Sequence, residues 1–492
     1  MQHTKKPKLL ILCDDITVTG GVERVVSNLA NALTTSNEAT TPNATANGLA
    51  TNIGGGGNTI HIVSIYRTNK ILPYNLDSSI KIRFLHNYSQ KHKPNALAKI
   101  FSKIKILSCK LGILILTAKL HKTREIHRIM LNLYINKIAK QNHIDIIIEN
   151  TWESLHPYFK AKGIAYAKVL HSNIANCGIT KDGNPRYDGN PKDFDLLILL
   201  SSRELPIWQT YHHNIAVIPN FLPEIPTTNA NLSQRFVLSV GRMDKGDQKG
   251  FLRLLDIWKI VQEMINNPSL KESETNEAKQ GKAEVSLAIH KKEFCHTEQS
   301  EVSQPQTQKR DISGFALNMT KIDSVAFSKS QYNKADLDAL KEWKLVIVGD
   351  GIMKSQIESK INDLGLQDSI ILKPFTKEIE KEYLSASVYA MSSHWEGFPM
   401  VLLEACSYGL PCIAFDIATG PSDIIKHSKS GFLISDDDLE AYANHLLKLM
   451  SDESMRINFG IEAKRIVGER FSKEVIMEKW EEVFRELLKF LD

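Results

Sequence analysis

The chain has 492 residues, 42% hydrophobic and 24% charged, with a formal net charge of +5. That length exceeds one ordinary core and suits two domains with insertions. Its six cysteines form no C-x-x-C pair, which argues against a zinc site or a disulfide framework, and no apolar run reaches the ~20 residues of a membrane span.

The polar start Met1 to Lys8 runs straight into an apolar strand, without the longer apolar region of a signal peptide. A reducing, cytoplasmic setting is therefore expected. Apolar β-type runs then alternate with helical patterns, the mark of parallel sheets with crossover helices. Leu9 to Cys13 reads as the first strand, and Val22, Val25, Val26, Leu29 and Leu33 recur at helical spacing behind it. Residues 36–58 are rich in Thr, Asn, Ala and Gly and read as a low-complexity insertion. Further strands are expected at 60–65, 144–148, 167–170, 196–200 and 216–218.

Between Lys91 and Arg128 stand ten Lys or Arg residues and one acid, Glu125. Such a stretch suits an anionic membrane surface as the partner; a solvated helix face is the plainer reading. No nucleic-acid partner is expected. Pro223 and Pro226 mark a linker, which divides the chain into a first domain 1–222, a linker 223–234 and a second domain 235–470. Strands of the second series are expected at 236–240, 345–348, 370–372, 388–391, 412–415 and 432–434. Residues 268–335 are polar and aperiodic and read as an insertion, disordered by composition. A last helix should occupy 471–492.

Several loops carry chemistry. Gly20-Gly21 precedes the first helix, where glycine lets a ligand approach backbone N–H groups and the positive end of the helix dipole. Gly241-Arg242, with Lys249-Gly250 at the next helix, offers two cations to a diphosphate. Ser393-His394-Trp395-Glu396-Gly397-Phe398-Pro399-Met400-Val401-Leu402-Leu403-Glu404-Ala405 follows a strand and opens a helix. Its two carboxylates can hold hydroxyls at opposite ends of an extended ligand, and the amides of Phe398, Pro399-linked Met400 and Val401 suit phosphate. Asp436-Asp437-Asp438 superficially resembles a metal-binding D-x-D, but acids opening a helix are explained by capping, and no metal is expected.

The E-x7-E pair Glu396/Glu404 within E-G-F-P-x-V-x-L-E-A resembles glycosyltransferase family four, of the GT-B fold. Gly20-Gly21-Val22-Glu23-Arg24, Ile218-Pro219-Asn220, Gly349-Asp350-Gly351 and Gly420-Pro421-Ser422-Asp423-Ile424-Ile425 fall in the same order as in that family. The resemblance implies an α/β architecture of two facing Rossmann-like domains with parallel sheets and a C-terminal helix returning to the first. It implies a retaining, metal-independent hexosyltransferase that needs no cofactor. The donor would be a nucleotide-diphosphate sugar, a UDP-sugar by preference, carrying a hexose or N-acetylhexosamine. The acceptor would be a glycan or lipid-linked, as in bacterial surface polysaccharide or lipopolysaccharide synthesis.

By position, Glu396 and His171 would be catalytic. Gly20, Gly21, Arg242, Lys249, Phe398, Pro399, Met400, Val401 and Glu404 would bind the donor, Glu404 through its ribose. Lys245-Gly246 competes with Lys249-Gly250 for the lysine's role. The rival readings are a GT-B epimerase or phosphorylase-like enzyme, and a non-catalytic membrane-associated nucleotide-binding protein.

Overall fold

The computed structural model describes residues 6–35, 58–88, 128–151, 159–171, 193–266, 334–489 and 491. The basic stretch 91–127 and most of both insertions lie outside these residues. The second insertion ends sooner than the sequence suggests, because Lys334–Lys341 is already helical.

Two parallel sheets carry the molecule. The first contains β1 (Leu9–Cys13), β2 (Ile60–Arg67), β3 (Lys81–Asn87), β4 (Ile146–Glu149), β5 (Ala165–Leu170), β6 (Leu196–Leu199) and β7 (Ile215–Val217), in the order β3-β2-β1-β4-β5-β6-β7. The second contains β8 (Phe236–Val240), β9 (Lys344–Val348), β10 (Ile370–Lys373), β11 (Val388–Met391), β12 (Cys412–Phe415) and β13 (Gly431–Ile434), in the order β10-β9-β8-β11-β12-β13. Helices cover both faces, so the inner strands are buried on both sides and read as unbroken apolar runs. β3 is absent from the sequence reading. It is an edge strand in which exposed Lys81 and Arg83 alternate with half-buried Ile82 and Phe84, so the two charges interrupt its apolar run.

In each sheet the strand order reverses beside the first strand, between β1 and β4 and between β8 and β11. Loops at the carboxyl ends diverge at such a point and leave a crevice. Glu396 and Lys249 lie in the loops of the second crevice, and His171 and the Gly20-Gly21 turn border the first.

The domains are joined by the chain's end. Leu222 N–H donates to Phe471 O at 3.2 Å, just where the long helix Glu453–Phe471 gives way to the last helix, Lys473–Lys489. Trp480, Phe484 and Leu487 of this last helix join one apolar cluster with Leu29 and Leu33 of the first helix, Gly21–Thr35. The C-terminal helix thus returns to the first domain.

Candidate functional site

The second crevice is built on two loops that hold each other. After β8, Gly241 N–H donates to Val348 O at 3.1 Å and Met243 N–H to Asp350 O at 2.9 Å. A Cβ at Gly349 would lie 1.9 Å from Gly241 O, so glycine is required for this contact. Gly349-Asp350-Gly351 therefore serves as a backing for the loop that carries Arg242. Gly250 has φ +65°, and a Cβ there would lie 1.8 Å from Ser392 O, which lets β8's loop close onto β11's.

Between those loops Lys249 Nζ donates to Glu396 Oε1 at 2.6 Å, and Ser393 Oγ donates to the same oxygen at 2.7 Å. Thr419 Oγ1 donates to the Glu396 carbonyl, fixing the loop from the β12 side. Lys245 is exposed at the tip of its loop, so among the two candidates the lysine meeting Glu396 is Lys249. Arg242 is 62% exposed and pairs with Asp244 at 3.2 Å.

Arg253 went unnoticed in the sequence. It is buried on the helix Phe251–Asn266, and its Nε and Nη2 donate to Ser392 O at 2.6 Å and Ser393 O at 2.5 Å. Its Nη1 reaches Asp436 Oδ1 at 2.9 Å and Asp437 Oδ1 at 2.7 Å, and its guanidinium lies 4.1 Å from the Phe415 ring centroid. Asp436 and Asp437 thus precede the helix Leu439–Ser451 rather than opening it, and help hold Arg253. Asp438 is that helix's N-cap, accepting from Ala441 N–H at 2.9 Å. Among the described residues no group of three or more His, Cys, Asp or Glu side chains is placed to hold a metal ion.

Pro399 is the N-cap of the helix Met400–Ser407. Its carbonyl accepts from Leu402 and Leu403 N–H at 3.1 and 3.2 Å. Met400 and Val401 are the first helical residues, whose amides have no carbonyl within the helix to meet. Phe398 is buried against Phe471, with ring centroids 5.6 Å apart, so its side chain belongs to the core and only its backbone can serve a ligand.

Glu404, on the second turn of that helix, is buried. Tyr383 Oη donates to its Oε2 at 2.9 Å, and Arg24 of the first domain forms an ion pair with it. Burial, then Glu404's charge, pushes the Tyr383 phenol well above its ordinary pKa, which keeps it a neutral donor. A second crossing is made by Arg203, which binds Asp416 through both oxygens at 2.7 and 3.0 Å and Ile417 O at 3.1 Å.

On the first domain, Gly20 ends the loop after β1, Gly21 starts the helix, and Tyr74 Oη donates to Gly20 O at 3.0 Å. The Glu23 carboxylate folds against Gly20. Burial raises its pKa, Asp14 and Asp15 raise it further, and Arg242 opposes them from the other domain. His171 follows β5, with Nε2 2.8 Å from Asn150 Oδ1. Burial, then the charge of Lys168, lowers its pKa to about 3. Of the site residues expected on the second domain, Lys249 and Glu396 are brought into contact, Arg242 stands exposed on the neighbouring loop, Glu404 pairs with Arg24 and the Phe398 side chain is in the core, while His171, Gly20 and Gly21 stand on the loops of the first.

Residues 326–466 match the family described as glycosyl transferases group 1. The chain is 39% identical over 141 residues to the amylovoran biosynthesis glycosyltransferase AmsD of Erwinia amylovora, covering 29% of this chain and 39% of that protein. It is 33% identical over 116 residues to the lipopolysaccharide 1,6-galactosyltransferase of Salmonella typhimurium, covering 23% of this chain and 32% of that protein. These matches span less than two thirds of the relatives' own length. The structure of the lipopolysaccharide outer core galactosyltransferase WaaB superposes with a TM-score of 0.56 at 16% identity, covering 97% of this chain and 99% of that one. Sucrose-phosphate synthase from Thermosynechococcus elongatus gives 0.59 at 14% identity, covering 98% and 99%. Anabaena HepE in complex with UDP gives 0.56 at 14% identity, covering 97% and 100%. The fold is GT-B, two facing Rossmann-like domains with parallel sheets.

Proposed function

We propose that this protein transfers a hexose or N-acetylhexosamine from a UDP-sugar to a glycan or lipid-linked acceptor, with retained anomeric configuration, in bacterial surface polysaccharide assembly. The observation that carries the reading is the crevice at the β8/β11 reversal, where Lys249 meets Glu396 in the loop that leads into Met400–Ser407, Arg242 stands exposed on the loop after β8, and Glu404 sits on the helix's second turn. Arg242 and Lys249 would neutralise the departing diphosphate, helped by the amides of Met400 and Val401. Glu404 would hold the ribose hydroxyls and Glu396 the hydroxyls of the transferred sugar. Gly20 and Gly21 would let the donor approach the first helix, and His171 would contact the sugar. The relatives named for polysaccharide and lipopolysaccharide synthesis support this reading, as does the UDP bound by HepE.

Among the described residues no helix is long and apolar enough to cross a membrane. Reversible attachment through the basic stretch 91–128 would bring a lipid-linked acceptor to the first domain. Salt-sensitive co-sedimentation with anionic but not neutral liposomes is the expected behaviour. The donor site is tested by calorimetric titration of UDP into the wild type and Glu404→Gln. Binding that weakens in the variant supports the assignment; equal affinity removes Glu404 from the site.

A further inference from the structure

The floor of the first crevice holds a buried ion pair that the donor site does not use. Glu149 on β4 and Lys168 on β5 are partners in register. Lys168 has no exposed side-chain surface, and its Nζ lies 3.1 Å from Glu149 Oε1 and donates to Thr151 O at 2.6 Å. Thr151 Oγ1 closes the ring by donating to Glu149 Oε1 at 2.6 Å. A buried pair of this kind contributes little net stability, and two packed apolar side chains would join the strands as well. Its place suggests a different use.

Asn150 is the residue spanned by the ring. Its N–H donates to Leu12 O of β1 at 2.8 Å, and its Nδ2 donates to Ile148 O at 3.3 Å. The amide nitrogen being so engaged, Oδ1 is the atom that meets His171 Nε2. An amide oxygen only accepts, so Nε2 must carry a proton; in the neutral ring, which burial favours, Nδ1 then keeps its lone pair.

We infer that Lys168, Glu149 and Thr151 are positioning residues that fix Asn150, and that Asn150 in turn holds His171 as the neutral Nε2–H tautomer with Nδ1 as a hydrogen-bond acceptor. Lys168 acts twice, since its charge also disfavours the imidazolium. The ligand His171 serves would then be a hydroxyl donor rather than a phosphate. That last step rests on the proposed glycosyl transfer; the tautomer does not.

The test is long-range 1H–15N NMR of histidine-labelled protein at pH 7, with His171 assigned from the signal lost in His171→Gln. The wild type should show a pyrrole-type Nε2 and a pyridine-type Nδ1. Asn150→Ala and the charge-free double variant Lys168→Met/Glu149→Gln should lose this single tautomer, and Thr151→Val, the mildest change, should weaken it. In a transfer assay the double variant should lose about tenfold in kcat, the worth of one misplaced hydrogen bond, with donor KM nearly unchanged. An Nδ1–H or imidazolium form in the wild type would overturn the inference. So would an unchanged tautomer in a folded double variant. Should the wild type show no transfer at all, the proposed function fails and the tautomer result still decides the positioning.

Discussion

Arg24 and Glu404 form an ion pair that joins the first helix of one domain to the carboxylate proposed for the donor ribose in the other. Tyr383 donates to the second oxygen of the same carboxylate. A ribose can reach Glu404 only by sharing or displacing Arg24. The pair therefore couples donor binding to the contact between the domains.

Arg24→Met should accordingly tighten UDP binding. Arg24 is 36% exposed, so its pair is screened and worth no more than about 1 kcal/mol, which bounds the gain at about fivefold. Calorimetric titration checks this. Weaker binding in the variant would mean that Arg24 contacts the nucleotide directly and does not compete with it.

The two cations of the second crevice should respond differently to truncation. Arg242 is mostly exposed, so Arg242→Ala should lose about 1.5–3 kcal/mol of UDP affinity with only a small fall in melting temperature, from its lost attraction to Glu23. Lys249→Ala also strands Glu396, whose side chain is 7% exposed, and should lower the melting temperature as well. Lys249→Met/Glu396→Gln should restore stability without restoring binding. Thermal melts and UDP titrations on the same samples separate the two effects. Equal melting temperatures for wild type and Lys249→Ala would show the Lys249–Glu396 pair to be dispensable to the fold.

Much of this was legible in the sequence, for local reasons. The inner strands are buried on both faces and so stand out as apolar runs, and Glu396 to Glu404 lie in one loop and the helix it opens. β3 escaped because an edge strand keeps charges on its open face. Arg203 and Asp416 are 213 residues apart, and such pairs become visible only when the domains face each other. Lys168 and Arg253 look like interruptions of apolar patterns until their buried partners are seen. Asp436 and Asp437, which in sequence open a helix, are instead engaged by Arg253.

Glu23 gives a pH dependence with a definite sign. Its folded pKa lies above the ordinary value of 4.5, chiefly through burial. The folded state therefore holds its proton longer than the unfolded state, and stability contributed below the ordinary value is lost as pH rises through the folded one. Glu23→Gln should raise the melting temperature at pH 7, and the advantage should shrink below pH 4.5, where both states are protonated. Because Arg242 opposes the shift, Glu23→Gln should gain more in an Arg242→Ala background. Melting curves from pH 4 to 8 test both statements, and an advantage that grows on acidification would contradict the assigned direction.

Arg242, Lys249 and the two carboxylates are the groups on which sugar transfer from a nucleotide donor would depend. The most direct measurement incubates purified protein with a panel of UDP-sugars and a pool of lipid-linked and soluble glycan acceptors, and follows both UDP release and the anomeric configuration of the product by NMR. The expected result is acceptor-dependent UDP release from one donor, a product of the donor's own α or β configuration, and loss of both signals in the Arg242→Ala/Lys249→Ala variant. Inverted product would contradict retention, and turnover that survives in the double variant would contradict the site itself.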